Sequence, residues 1–206
     1  MDVRRIIEQE RLIGIIRVDS AEHAVLAAEA ALAAGVSLIE FTWNTPGALG
    51  LIERFAAEDT VVGVGTITDP DDAESAIASG ARFVVTPVAT RVVVDACRGR
   101  GVVCVCGAST PTEIWNAYRW GADLVKVFPV ATLGGAEYLR LVRGPLGHVP
   151  LVATGGVTLE NMAALLAAGA TAVGVTSGLF APDLLARGDR EGLEERARAL
   201  LAERPK

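Results

Sequence analysis

One lysine stands out among the residues whose types suit chemistry. The chain has 206 residues with 19 Lys and Arg, and only two of these are lysines, Lys126 and the C-terminal Lys206. Lys126 lies in the apolar segment 122–129, which is typical of a buried strand. Burial lowers the pKa of an amine, and such a lysine is the nucleophile that Schiff-base chemistry requires. A lysine paired with a core carboxylate, or one that reaches solvent at a strand end, is the alternative interpretation.

A carboxylate interrupts a second apolar segment, residues 37–43. Strand alternation places Glu40 and Thr42 on one face of that strand, and Lys126 and Phe128 on one face of the other. If both faces point into a shared interior, a carboxylate meets an amine there. The pair would then be a nucleophile with a proton shuttle, or a buried ion pair. Buried pairs add little net stability, so a purely structural role is weakly motivated.

The elements that must position these residues alternate regularly along the chain. Short apolar segments separated by longer amphipathic ones predict parallel strands covered by helices. The expected strands are 12–18, 37–43, 61–66, 83–86, 102–106, 124–128, 151–154 and 172–176, and the expected helices are 20–34, 47–57, 70–79, 90–100, 110–120, 135–142, 158–168 and 191–202.

Eight strand–helix units predict a single α/β domain, a (β/α)₈ TIM barrel over residues 1–206, with an extra N-terminal helix at 2–10 across one end. An open doubly wound sheet is the alternative fold. The first strand, however, is followed by Arg17, Val18 and Asp19, and not by a glycine-rich dinucleotide fingerprint. The sequence therefore favours the barrel.

Composition narrows the classes of partner. Apolar residues make up 51% of the chain and the net charge is −6, without a basic stripe, which argues against nucleic acid. No segment reaches the roughly 20 apolar residues of a membrane span, and no signal peptide opens the chain, so we expect a cytoplasmic protein.

The cysteines do not form a metal-binding pattern. Cys104 and Cys106 alternate on one predicted strand, and no His or further Cys lies nearby at ligand spacing. We expect all three cysteines, Cys97 included, to pack in the core, and we expect neither a metal nor another cofactor.

In a barrel, the active site lies at the carboxyl ends of the strands. Most of the polar and glycine-rich sequence collects at these ends. The residues concerned are Arg17, Glu40, Asn44, Thr66, Pro87, Lys126, Phe128, Thr154, Gly155, Gly156 and Ser177. Gly155 and Gly156 join a strand to a helix, where backbone N–H groups can meet an anion, and Ser177 follows the next strand. Barrels often bind phosphate at these two loops, so the sequence predicts a phosphate site there.

Seven segments together resemble the class I aldolases that cleave 2-keto-3-deoxy-6-phosphogluconate (KDPG), and the related 4-hydroxy-2-oxoglutarate (KHG) aldolases. They follow the family order across nearly the whole chain. The segments are Gly-Ile-Ile-Arg ending at Arg17, Ile-Glu-Phe-Thr around Glu40, Gly-Val-Gly-Thr ending at Thr66, Val-Thr-Pro ending at Pro87, Lys-Val-Phe-Pro starting at Lys126, Thr-Gly-Gly-Val starting at Thr154, and Ser177.

The resemblance implies a Schiff base between Lys126 and the keto carbon, with Glu40 as general acid and base. It also implies that Thr66 contacts the pyruvate carboxylate and that Pro87 and Phe128 wall the pocket. Thr154 would lie beside the reacting hydroxyl, while Gly155, Gly156 and Ser177 would hold the phosphate. A protonated imine supplies the electron sink without a metal. Implied partners are pyruvate, a phosphorylated keto acid and two further copies of the chain in a homotrimer.

The turn after Glu40 departs from the KDPG pattern. Many KDPG aldolases have an arginine there that holds the carboxylate, whereas this turn contains Asn44, as in the 2-keto-3-deoxy-6-phosphogalactonate (KDPGal) branch. Arg17 is our candidate for the missing charge. Thr154 resembles the gluconate enzymes, and Thr176 stands where glycine is frequent. The preference at C4 and the phosphorylation of the substrate are therefore left open.

Two other functions fit parts of the pattern. A metal-free epimerase or isomerase barrel would keep the glycine loops and need no imine. A non-catalytic ligand-binding barrel would leave Glu40, Thr66 and Lys126 as buried polar groups without a purpose. The sequence favours the aldolase.

Overall fold

Eight parallel strands close into a barrel in sequence order, from β1 beside β2 round to β8 beside β1. The computed structural model describes residues 2–58 and 60–204. The (β/α)₈ prediction is confirmed. The strands are β1 Leu12–Ile16, β2 Leu38–Thr42, β3 Val61–Gly65, β4 Phe83–Val85, β5 Val103–Ala108, β6 Leu124–Val127, β7 Leu151–Thr154 and β8 Ala172–Val175.

Apart from α1, which precedes β1, the helices follow the strands and cover the outside of the barrel. Within the described residues they are α1 Val3–Glu10, α2 Ala21–Ala33, α3 Ala48–Ala56, α4 Pro70–Ala78, α5 Arg91–Arg100, α6 Pro111–Trp120, α7 Gly135–Leu146, α8 Leu159–Ala167, α9 Pro182–Ala186 and α10 Arg190–Ala202. None of them has the length and apolar character that crossing a membrane requires.

The core has two layers because the strand residues alternate in direction. Inward-facing side chains such as Ile13 and Phe83 fill the barrel, where Val3 and Ile7 of α1 also pack. The extra N-terminal helix is thus confirmed, and two of its side chains join the interior core. Outward-facing side chains pack against the helices, and this layer includes the buried free thiols of Cys97, Cys104 and Cys106.

Two strand ends differ from the sequence prediction by two residues, and the other differences are of one residue. β1 stops at Ile16, two residues early, and the carbonyl oxygen of Ile16 accepts a hydrogen bond from the side chain of Thr45. β5 continues to Ala108, two residues further than predicted, because Gly107 lets the neighbouring loop approach its backbone closely. These shifts bring Arg17 out of the strand and place Gly107 inside the site.

A short additional helix, α9, was not predicted. It spans five residues and begins at Pro182, in the first turn where proline needs no hydrogen bond. It contributes to the surface beside the end of β8.

Candidate active site

Glu40 lies inside the barrel on β2, beside Ile15 of β1 and Gly63 of β3 in register. Its side chain is only 1% exposed, and within the described residues its Oε1 has no hydrogen-bond partner. A Cβ at Gly65 would overlap the Glu40 carboxylate, so the carboxylate fits only because residue 65 has no side chain. A buried carboxylate oxygen without a partner is costly for stability and points to a functional group.

Lys126 lies inside the same barrel on β6, opposite Gly107 of β5 and Val152 of β7. The side chain is 4% exposed, and Nζ lies 5.4 Å from the centroid of the Phe128 ring. In the described part of the chain, no carboxylate lies within the 4.0 Å of Nζ that would define an ion pair. The sequence prediction that β2 and β6 direct their polar residues into one interior is therefore confirmed, without a closed salt bridge.

The interior perturbs both titratable groups toward their neutral forms. Burial raises the pKa of the Glu40 carboxyl, and the positive charges of Lys126 and Arg17 oppose this shift. Burial lowers the pKa of the Lys126 amine, and the positive charge of Arg17 lowers it further. The negative charge of Glu40 acts in the opposite direction and raises this pKa. An amine with a lowered pKa and a carboxyl with a raised pKa in one interior suit nucleophilic attack and proton transfer.

Arg17 follows β1 and reaches across the barrel mouth. Its Nη2 lies 3.4 Å from Oγ1 of Thr66, which follows β3. Thr66 has φ 63°, in the left-handed region that β-branched residues avoid. Such strain costs roughly 1–3 kcal/mol and collects at functional sites. Arg17 and Thr66 thus present a guanidinium and a hydroxyl together at the mouth.

The loop after β4 packs directly on the backbone that lies opposite Lys126. The hydroxyl of Thr86 accepts from Gly107 N at 2.8 Å and donates to Val88 O at 2.7 Å. A Cβ at Gly107 would lie 2.5–2.7 Å from backbone atoms of Pro87 and Val88. Pro87 is therefore held beside the strand that pairs with the Lys126 strand.

Ser109, which sequence reasoning passed over, holds the Phe128 side of the site. Its hydroxyl donates to Phe128 O at 2.6 Å, and its own carbonyl oxygen accepts from Tyr138 Oη at 2.6 Å. The sequence indicated Ser109 only as part of the start of the predicted helix 110–120, together with Thr110 and Pro111.

Thr154 and the two glycines after it form the side of the site built by β7. Thr154 is 3% exposed, and its Oγ1 lacks a hydrogen-bond partner in the described region. Gly155 and Gly156 have φ 85° and 80°, which favour glycine. A Cβ at Gly155 would lie 2.9 Å from Phe128, so this turn packs on the pocket wall.

The remaining predicted residues lie at the rim. Arg17, Asn44, Thr176 and Ser177 line one cavity of about 590 Å³ at the ends of β1, β2 and β8. Asn44 and Ser177 are exposed. The predicted site residues therefore form a buried group with Glu40, Lys126 and Thr154, and an open rim. The described residues contain no cluster of three or more His, Cys, Asp or Glu side chains that could hold a metal ion.

Known proteins with similar sequences identify the family of this chain. The family model for KDPG and KHG aldolase matches residues 3–195. The 2-dehydro-3-deoxy-phosphogluconate aldolase of Dickeya dadantii is 32% identical over 193 residues, which cover 93% of this chain and 91% of the relative. The 2-dehydro-3-deoxy-6-phosphogalactonate aldolase of Escherichia coli is 28% identical, over 82% and 84% of the two chains.

A solved structure agrees with this match. KDPG aldolase from Legionella pneumophila, with pyruvate captured as a covalent carbinolamine intermediate, superposes with a TM-score of 0.89 at 25% identity, over 97% of this chain and 98% of the other. The fold, the interior lysine and carboxyl, and these matches lead to one conclusion: the chain belongs to the KDPG and KHG aldolase family, and is a lyase.

Proposed function

We propose that this enzyme is a class I aldolase that releases pyruvate from a 2-keto-3-deoxy acid through a Schiff base on Lys126. The observation that carries the proposal is the Lys126 amine itself, which is buried, unpaired by any described carboxylate within 4.0 Å, and lowered in pKa. The carbinolamine captured in the Legionella pneumophila relative supports it.

The neutral amine attacks the keto carbon C2 to give a carbinolamine, which loses water to form a protonated imine. Removal of the C4 hydroxyl proton breaks the C3–C4 bond, and its electron pair moves through C2 to the imine nitrogen. The aldehyde leaves and an enamine remains. Protonation at C3 and hydrolysis then release pyruvate and regenerate Lys126. The protonated imine is the electron sink, so the scheme uses neither a metal nor an organic cofactor.

Glu40 is the proposed proton carrier in these steps. Burial raises the pKa of the Glu40 carboxyl, which makes its protonated, proton-donating form more accessible than that of an exposed carboxyl. Its Oε1 has no partner within the described residues, which leaves this oxygen free for water or substrate. Glu40 would protonate the leaving carbinolamine hydroxyl, and would later take the C4 hydroxyl proton, directly or through water.

Arg17 and Thr66 are the proposed ligands of the keto acid carboxylate. Guanidinium and hydroxyl groups both donate to carboxylate oxygens, and these two lie 3.4 Å apart. Asn44 lines the same cavity as Arg17. It lies in the turn after β2, where many KDPG aldolases have an arginine instead. Pro87 and Phe128 would enclose the apolar methyl end of pyruvate.

The far end of the substrate is assigned to the loops after β7 and β8. Thr154 has a buried hydroxyl inside the barrel without a hydrogen-bond partner among the described residues, and this hydroxyl suits the C4 hydroxyl. Gly155 and Gly156 lie in the loop between β7 and α8, where Gly156 is exposed, and Ser177 adds a hydroxyl, so these three are the proposed phosphate site. The proposed substrates are KDPG or KDPGal, giving glyceraldehyde 3-phosphate, or 4-hydroxy-2-oxoglutarate, giving glyoxylate.

We also propose that the single-domain chain acts in the cytoplasm as a homotrimer. The supporting observation is an exposed aromatic group on α6, where Trp115 and Tyr118 are 40% and 37% exposed. Both rings pack edge-on against His148, at 6.1 and 5.3 Å between centroids. Light scattering at micromolar concentration tests the assembly: three times the chain mass supports the proposal, and a monomer contradicts it.

The activity is tested by measuring the pyruvate released from KDPG, KDPGal and 4-hydroxy-2-oxoglutarate, with lactate dehydrogenase as the coupling enzyme. We expect turnover of at least one of the three, and loss of about 10²–10⁴-fold in kcat for Glu40→Gln. Glu137→Gln, on α7, is the matched control and should keep wild-type activity. No pyruvate from any of the three substrates would contradict the proposal.

A further inference from the structure

Two buried hydroxyls connect β2 to the end of β1. Thr42 and Thr45 are 0% and 2% exposed, and their Oγ1 atoms lie 3.0 Å apart. Thr45 donates its hydroxyl to Ile16 O at 3.2 Å. A hydroxyl has one proton, and a carbonyl oxygen only accepts. The proton of Thr45 is therefore used on Ile16, and Thr42 must be the donor to Thr45. The result is a directed chain from Thr42 through Thr45 to Ile16.

This chain joins the two segments that carry the charged site residues. Its start, Thr42, lies two residues after Glu40 on the same inward face of β2. Its end, Ile16, is the last residue of β1 and directly precedes Arg17. Asn44, next to Thr45, lines the same cavity as Arg17. The hydroxyls of Thr42 and Thr45 thus connect the C-terminal end of β1 to the turn that follows β2.

We propose that Thr42 and Thr45 are positioning residues that hold Arg17 in place at the barrel mouth, where it meets the carboxylate of the keto acid. The proposal rests on the proposed function, because it assumes that Arg17 binds this carboxylate. A buried hydroxyl chain suits the task, since it fixes the separation and direction of the two backbones it joins. The 3.4 Å contact between Arg17 Nη2 and Thr66 Oγ1 is the geometry that it maintains.

The electrostatics of the interior depend on the same position. The charge of Arg17 lowers the pKa of both Lys126 and Glu40, and a displaced guanidinium would lower them less. Loss of the hydroxyl chain therefore has two consequences beyond stability. Pyruvate should bind more weakly, and the pH at which the amine becomes reactive should rise.

The test is the Thr45→Val variant, which keeps the shape of the side chain and removes the hydroxyl. We expect the pyruvate concentration for half-maximal borohydride trapping on Lys126 to rise about tenfold, as for one lost hydrogen bond. The pH midpoint of trapping at saturating pyruvate should move upward. Thr45→Ser restores the hydroxyl and should return both values to near those of the wild type.

A double-mutant cycle with Arg17→Met separates positioning from general destabilisation. If Thr45 acts through Arg17, then Thr45→Val adds little to the effect of Arg17→Met. The proposal would be overturned if the effects of Thr45→Val and Arg17→Met on trapping multiply in the double variant. It would also be overturned if Thr45→Val traps pyruvate as the wild type does. Should Thr45→Val fail to fold, Thr42→Val tests the chain from its other end, with the same expected directions and a smaller size. Wild-type protein that traps no pyruvate would instead refute the proposed function.

Discussion

The carboxylate of Glu40 occupies the space that a side chain at Gly65 would fill. The two residues lie on adjacent parallel strands, β2 and β3, and both face the barrel interior. A glycine is therefore required at position 65 because the Glu40 carboxylate needs the space. The backbone conformation does not require it, because the φ of Gly65 is not positive. The position of the proposed proton carrier depends on an absent side chain.

The Gly65→Ala variant should displace the Glu40 carboxylate. We expect kcat for cleavage to fall about 10²–10⁴-fold, the usual contribution of a general acid or base. Overpacking should lower the free energy of unfolding by about 1–3 kcal/mol, measured by urea titration. Gly50→Ala, on α3 with no atom within 4 Å of the new Cβ, is the matched control and should leave kcat unchanged. Wild-type kcat in Gly65→Ala would contradict the assigned role.

Two buried threonines should respond to the same substitution in opposite ways. Thr154 has a buried hydroxyl without a described partner, so Thr154→Val should raise the free energy of unfolding by about 1 kcal/mol. Thr86 makes two hydrogen bonds, with Val88 O and Gly107 N, so Thr86→Val should lower it by about 2 kcal/mol. Urea denaturation measures both. A destabilised Thr154→Val would mean that this hydroxyl has a structural partner.

The sequence predicted the barrel and its interior pair because both follow from local patterns. Alternation of strand residues placed Glu40 and Lys126 each on one face of its strand, and the structure shows that both faces point into the barrel. The ends of strands were less predictable, because they depend on contacts between loops. Arg17 leaves β1 where Thr45 binds the Ile16 carbonyl, a contact between residues 29 positions apart.

Other parts of the site had no local signal. Thr42 was placed on the same face as Glu40, but its hydrogen bond with Thr45 was not predicted, since hydroxyls in such places usually serve the local backbone. The role of Gly107 depends on the loop from the preceding unit, which only the closed barrel brings near. Ser109 follows a strand whose end is set by the same packing. Tertiary contacts, and not propensity, determine these residues.

The pH dependence of imine formation should reflect two opposing charges on Lys126. Trapping needs the neutral amine, so its rate should rise with a midpoint below the ordinary lysine pKa of 10.5. Arg17 lowers this pKa, so Arg17→Met should move the midpoint to higher pH. Glu40 raises it, so Glu40→Gln should move the midpoint to lower pH.

The measurement is the rate of pyruvate and borohydride trapping against pH, at saturating pyruvate for each variant. Circular dichroism at each pH controls for unfolding. Shifts in the same direction for both variants, or no shift in either, would show that these two charges do not act on the amine.

The most direct test of the central claim is intact mass after incubation with pyruvate and borohydride, followed by peptide mapping. The chain suits this experiment, because Lys206 is its only other lysine and serves as an internal control. We predict one pyruvyl adduct, located on Lys126, and none on Lys206. Folded protein that shows no adduct, or one that modifies Lys206 equally, would contradict the Schiff-base mechanism.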